Sequence, residues 1–185
     1  MALERERLIS VFAQWGLEVT RPDAPATEGL VADRTAREVF TEIGIPERIG
    51  GHITLHDFSD GPATVADLLG NSDGSMRTVS DYIYLGSGDG ILLLNGTTGE
   101  VFSWKDRSLS RISTALDSFV EFLVLIQEQL NLAERQGWPE SGEEVRTASE
   151  HLMSAFRGID GAAMAEASGY WRRFVRESFA SMGFD

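Results

Sequence analysis

The hydrophobic residues near the N-terminus recur at intervals of three and four residues, as on one face of a helix. These residues are Leu8, Val11, Phe12 and Trp15. The spacing predicts an amphipathic helix that ends at Gly16, and a polar linker with two prolines follows it. A second helix is predicted over residues 34–43, because Asp33 stands at the N-cap position and Gly44 follows the last apolar residue.

The middle of the chain carries short apolar segments, several with a period of two, which predict strands. The predicted strands cover residues 53–58, 81–85, 90–95, 100–105 and 109–112. The loop GTTG at residues 96–99 joins two of them as a hairpin. Three consecutive leucines at 92–94 indicate a central strand covered on both faces. Phe102 and Trp104 share one face of the next strand, and we interpret Trp104 as a residue of the core or its edge, with an exposed binding role as the alternative.

Three more helices are predicted in the C-terminal part. The first begins after Thr114, which stands at an N-cap position with Asp117 three residues on. Its apolar positions cover most of its circumference, so it is predicted to pack between layers. The second begins at Ser141, and the last covers residues 170–182. The elements together predict an α+β fold in which a central, mostly antiparallel sheet of about four to six strands is flanked by N-terminal and C-terminal helices.

The length of 185 residues, 42% of them hydrophobic, fits one domain with a sizeable core. We interpret residues 1–185 as a single domain in which 1–32 form an N-terminal helix and linker and 33–182 form the core. No apolar run reaches the ~20 residues of a membrane span. The charged N-terminal decapeptide has no signal-peptide pattern, so we expect the protein in the cytoplasm.

The chain is strongly acidic, with a formal net charge of −13. Residues 51–90 contain six Asp and a single Arg. Such a surface repels nucleic-acid phosphates and attracts basic proteins, although acidity alone is also explained by solubility. The charge therefore argues against direct binding of DNA or RNA, and it leaves two roles open, attraction of a basic protein or solubility alone.

The motifs of common enzymes and cofactor sites are missing or fail on spacing. With no cysteine there is no thiolate nucleophile, and Lys105 does not follow a glycine-rich loop as a Walker lysine does. His52 and His56 would lie ~13 Å apart on a strand, too far to share a metal ion. The GSGDG run at 86–90 precedes a strand instead of the helix that a phosphate site needs. We therefore expect no catalytic residues, no metal site and no cofactor.

Several short motifs, taken together, resemble the SUKH superfamily of bacterial immunity proteins, and most closely its fourth family. They are GIP at 44–46, YLGSGDG at 84–90, TGEVFSW at 98–104, STALDSF at 113–119 and GYWRRFVRE at 169–177. Family members often have Asn in place of Ser113 and Ser in place of Ala115. The resemblance implies a SUKH-like fold, related to a fungal regulator of cell-wall synthesis, and a non-enzymatic protein.

The resemblance also implies a function. The protein would bind a cognate toxin of a polymorphic or contact-dependent system and neutralise it by stoichiometric occlusion, and the toxin is often a basic nuclease or deaminase domain. From the charge distribution, we predict that Asp57, Asp60, Asp73 and Asp89 contact the toxin. Two alternatives stay open. One is a regulatory or scaffolding module of the same fold that binds a host protein, and the other is an enzyme or small-molecule binder whose site is not visible in sequence.

Overall fold

The structure is a computed structural model that describes residues 4–49, 53–69, 74–137 and 142–180. Its α-helices are α1 (Arg5–Ala13), α2 (Ala24–Glu28), α3 (Arg34–Glu38), α4 (Val65–Leu69), α5 (Leu116–Gln136), α6 (Gly142–Ile159) and α7 (Gly161–Ala180). A π-helical turn, Val39–Ile43, extends α3, and a 3-10 helix covers Gly74–Val79. The strands are β1 (Val19–Thr20), β2 (Ile45–Pro46), β3 (Arg48–Ile49), β4 (Ile53–Leu55), β5 (Ile83–Gly88), β6 (Gly90–Leu94), β7 (Val101–Lys105) and β8 (Ser108–Ser113).

The strands form an antiparallel meander. β3 to β8 lie side by side in chain order in one six-stranded sheet, and β1 pairs with β2 in a separate two-stranded sheet. Gly86 has no side chain at the closest approach of β4 to β5, where a Cβ atom would overlap the carbonyl oxygen of Thr54. This architecture confirms the predicted α+β fold with a mostly antiparallel sheet between N-terminal and C-terminal helices.

One face of the sheet holds the main hydrophobic core. Alternate strand residues point into it, each at most 1% exposed: Ile83, Leu85, Leu92, Leu94, Val101 and Ile112. Phe119 and Leu123 of α5 and Trp171 of α7 belong to the same core. The indole N–H of Trp171 donates to the carbonyl oxygen of Ile112 at 2.8 Å, so this large ring is buried with its polar atom satisfied.

The N-terminal elements also contribute to this core. Leu8, Val11 and Phe12 of α1 are buried in it, and α1 contacts α5. The structure places the short helix α2 in the segment predicted to be a linker. α3 is capped as predicted, because Asp33 accepts the backbone N–H of Ala36 at 2.7 Å.

The predicted N-cap of the long helix is wrong. α5 begins after Ala115, whose side chain makes no capping bond. Thr114 donates its backbone N–H and its hydroxyl to Asp160 instead, at 2.7 and 2.9 Å, and the hydroxyl of Ser113 donates to the same carboxylate oxygen. Asp160 also accepts the N–H of Ala163, which places it at the start of α7. The last helix therefore begins at Gly161, well before residue 170 where it was predicted to begin.

Candidate functional site

The structure separates the acidic residues that the sequence predicts as toxin contacts. Asp57 and Asp60 are exposed in the loop after β4. Asp89 lies in the turn between β5 and β6. Because β4 and β5 are antiparallel and Leu55 lies opposite Gly86, this turn is at the other end of the β4–β5 pair from Asp57 and Asp60. About five residues of extended chain, roughly 15 Å, separate the two positions along the strands. Asp73 lies outside the described residues.

Asp57 keeps a solvent-exposed charge. The backbone N–H of Ser59 donates to its carboxylate at 2.9 Å, and this bond holds the pKa of Asp57 below its ordinary value. The carboxylate is therefore ionised at neutral pH. In the described part of the chain, no basic side chain forms an ion pair with Asp57 or with Asp60.

Asp89 has a different environment. Its carboxylate forms ion pairs with Lys105 of β7 and Arg173 of α7, and its side chain is only 18% exposed. The hydrogen bond from Lys105 is the main cause that lowers the pKa of Asp89. The hydroxyl of Ser103 donates to the backbone carbonyl of Asp89 at 3.1 Å. Because two cations balance it, Asp89 ties the β5–β6 turn to α7 and adds little net charge to the surface.

A polar cleft of about 250 Å³ lies beside Asp89, between α7 and the strands β7 and β8. The hydroxyl of Tyr170 is buried in its wall and has no hydrogen-bond partner among the described residues. Burial raises the pKa of Tyr170, so the phenol stays protonated at neutral pH and cannot act as a base. No group of three potential metal ligands occurs within the described residues. His56 lies half-buried against Phe58 and Tyr84, and His52, the other histidine of the predicted strand, lies outside the described part.

The face of the sheet opposite the core is rich in half-buried aromatic side chains. We call this set the aromatic face: Tyr82, Tyr84, Ile91, Phe102, Trp104 and Leu109. The antiparallel register places its members in two rows across the strands. In one row Tyr84 lies opposite Leu93, and Leu93 opposite Phe102. In the other, Trp104 lies between Ile91 and Leu109.

Ring contacts add Tyr82 to the first row and extend this row toward β4. Tyr82 meets Phe102 edge-to-face, with ring centroids 5.6 Å apart. His56 meets Tyr84 in the same way at 5.8 Å. Only part of the face is closed over, since Val65 of α4 and Val79 pack on the buried Leu93. The remaining side chains form a contiguous and partly solvent-accessible apolar surface, which is the kind of surface that binds other proteins.

An acidic rim borders the aromatic face on its β4 and α4 side. It consists of four exposed carboxylates: Asp57, Asp60, Asp67 and Asp81. Asp81 directly precedes Tyr82 in the chain. Hydrogen bonds from the hydroxyl and the backbone N–H of Thr64, at 2.6 and 3.0 Å, lower the pKa of Asp67. None of the four is in an ion pair with another described residue, so the rim carries an uncompensated negative charge.

At the opposite border of the face, Arg111 and Lys105 are both held in ion pairs. Arg111, on the same side of β8 as Leu109, donates to Glu100 at 2.7 Å and to Glu166 of α7 at 2.6 Å. Lys105 forms an ion pair with Asp89. The two borders therefore differ, because Arg111 and Lys105 are paired whereas the four carboxylates of the acidic rim are in no ion pair with another described residue.

The alternation in the sequence places Phe102 and Trp104 on one face of β7 but does not identify the surface to which they belong. A usable signal is present in the segment DYIYLG, where Tyr82 and Tyr84 alternate with buried Ile83 and Leu85. Aromatic residues at alternate positions of neighbouring strands indicate a shared second face. Strand order, which the structure provides, is needed to bring the two pairs together.

None of the helices in the described part of the chain combines the length and hydropathy that crossing a bilayer requires.

Comparison with curated proteins finds no match, and comparison with solved structures finds none either. The family model described as SUKH-4 immunity protein matches residues 4–177, which include the sheet, the aromatic face and nearly all of the described helices. The chain therefore belongs to the SUKH-4 immunity protein family.

Proposed function

We propose that this protein binds one cognate toxin domain in a stoichiometric complex and neutralises it by covering its active site or substrate channel. The observation that carries the proposal is the family match over residues 4–177. Occlusion requires a stable surface with complementary chemistry, and it requires no catalytic group on the immunity protein.

The charge of the chain favours a basic toxin. A net charge of −13 attracts a positively charged domain and accelerates the encounter of the two proteins. Toxins that act on nucleic acids carry basic surfaces because they bind polyanions. We therefore propose a nuclease or deaminase domain as the partner. The two proteins would meet in the cytoplasm, where such a toxin would find its substrate.

The acidic residues named from the sequence have unequal parts in this proposal. Asp57 and Asp60 are exposed and have no cationic partner among the described residues, so they are available to steer a basic toxin. Asp73 is proposed with them on the sequence argument alone. Asp89 is already balanced by Lys105 and Arg173, and it would contribute mainly by holding the β5–β6 turn in place.

The experiment is a protection and binding assay with the toxin domain encoded beside the gene of this protein. Cells that express the toxin should survive when this chain is co-expressed, and an inactive variant of the toxin should form a one-to-one complex with it. Full toxicity in the presence of well-expressed, folded protein, together with no complex, would contradict the proposal.

A further inference from the structure

We propose that the aromatic face is the surface on which the toxin docks, and that the acidic rim receives basic side chains of that toxin. This inference rests on the proposed function and names the part of the molecule that performs it. The occupant is a basic protein surface that presents apolar and arginine side chains to the sheet.

The composition of the aromatic face supports this assignment. Tyrosine and tryptophan are enriched among the residues that dominate protein–protein binding energies, and the face brings two tyrosines, a phenylalanine and a tryptophan together. Tyr84, Phe102 and Trp104 lie in strands that are hydrogen-bonded to neighbouring strands on both sides, and Tyr82 directly precedes β5, so little order must be gained when a partner binds. Trp104, in the middle of its row between Ile91 and Leu109, has the position expected of a central anchor.

The acidic rim selects the chemistry of the partner. Arginine and lysine on the toxin can pair with Asp57, Asp60 and Asp81, which are exposed and in no ion pair with another described residue. The same cations bind favourably over tyrosine rings, and Tyr82 directly follows rim residue Asp81 in the chain. A basic surface thus finds two complementary kinds of contact next to each other.

The same charges argue against two other occupants. A second copy of this chain would bring another net charge of −13 to a surface bordered by carboxylates, which opposes self-association. Single-stranded RNA could stack its bases on aromatic rings, but its phosphates would meet the acidic rim without cationic compensation. Each alternative gives a distinct result in the experiment.

The exposed apolar residue Leu68 extends the surface beyond the sheet. It lies on α4, directly after rim residue Asp67, and is 41% exposed, whereas Val65 of the same helix is buried on Leu93. Because residues three apart lie on the same side of a helix, Leu68 continues the apolar surface from Val65, and a partner seated on the aromatic face can also cover part of α4.

The test uses the full-length chain and the inactive toxin domain encoded beside its gene, with affinity measured by calorimetry or surface plasmon resonance. The double variant W104A/L109A should weaken binding at least 30-fold, roughly the loss that follows truncation of a hot-spot aromatic residue. The matched control is I9A/L132A, which removes two apolar side chains that are 40% and 38% exposed on α1 and α5. The control should bind within about threefold of the wild type.

A charge variant makes the test independent of any folding defect in the aromatic variant. D57N/D60N/D81N removes three exposed rim charges, and E4Q/E6Q/E134Q removes three exposed charges from the N-terminal segment and α5. The rim variant should associate several-fold more slowly at low salt than this control, and the difference should shrink at high salt.

The outcomes separate the two claims. If the wild type neither binds the toxin nor protects cells, the proposed function fails and the docking assignment fails with it. If the wild type binds, and W104A/L109A and D57N/D60N/D81N each bind as their controls do, the docking assignment alone is overturned. Two further results would also overturn it: a wild-type dimer in light scattering that W104A/L109A dissociates, or tight binding of a single-stranded RNA oligonucleotide.

Discussion

The two faces of the six-stranded sheet are made from alternate residues of the same strands, and their chemistry differs. The inner face carries aliphatic side chains that are at most 5% exposed and that pack in one core with α5 and α7. The outer face carries aromatic side chains that stay half-buried and are bordered by exposed carboxylates. An aliphatic interior maximises burial, whereas a half-exposed aromatic surface keeps binding capacity for another protein. We therefore assign folding stability mainly to the inner face and recognition to the outer one.

The sharpest test of this division compares two phenylalanines. Phe119 is 1% exposed in the main core, and truncation of such a residue leaves a cavity that typically costs about 3–5 kcal/mol. F119A should therefore lose that much free energy of unfolding in urea titrations. Phe102 stays partly exposed on the outer face, so F102A leaves a site open to solvent and should lose clearly less, about 1–2 kcal/mol. Equal losses from the two variants would remove the distinction between the faces.

Asp160 provides the next largest effect on stability. Its carboxylate joins the end of β8 to the start of α7 through Ser113, Thr114 and Ala163. The side chain is buried, and D160A leaves these donors without their acceptor, at a cost of about 1–3 kcal/mol. Urea unfolding at neutral pH measures this loss, and S154A, in which an exposed hydroxyl of α6 is removed, serves as the control.

The contribution of Asp160 should also depend on pH. Burial acts to raise the pKa of Asp160, but the hydrogen bonds from Thr114, Ala163 and Ser113 outweigh it, and the net pKa is lowered. A carboxyl group with a lowered pKa in the folded state stabilises fully above its unfolded pKa of about 3.9. The stability gap between wild type and D160N should be constant near pH 7 and should shrink as the pH falls below about 4. A gap that widens on acidification would contradict this environment.

The ion pairs of Asp89 should have the smallest effect. R173A removes one of its two cations at a partly exposed site, where such pairs typically contribute about 0–1 kcal/mol. A melting temperature within a few degrees of the wild type is expected, with a further small decrease for K105A/R173A. A large loss for R173A alone would mean that the β5–β6 turn is a main determinant of stability.

Local patterns predict much of this fold, because strands and amphipathic helices depend on residues near in sequence. The alternation around Phe102 and Trp104, the three leucines of β6 and the N-cap at Asp33 all appear in the structure as predicted. The errors concern partners distant in sequence. Thr114 has the composition of a helix cap, but its hydroxyl binds Asp160, 46 residues away, and no local pattern shows this pairing.

The candidate site shows the same limit. The sequence identifies the acidic segment but not the pairing of Asp89 with Arg173, which depends on where α7 lies against the sheet. In the sequence, the whole of β6 lies between Tyr82 and Tyr84 on one side and Phe102 and Trp104 on the other. Only the strand order β5–β6–β7 brings the two pairs into one surface.

The most direct test of the recognition claim is oxidative footprinting of the free protein and of its complex with the inactive toxin domain. The side chains of Tyr82, Tyr84, Phe102 and Trp104 should lose reactivity on binding. Trp15 and Tyr170 are half-buried aromatic residues packed against the main core, and they should keep theirs. If Trp104 and Tyr84 stay as reactive in the complex as in the free protein, the aromatic face is not the docking surface.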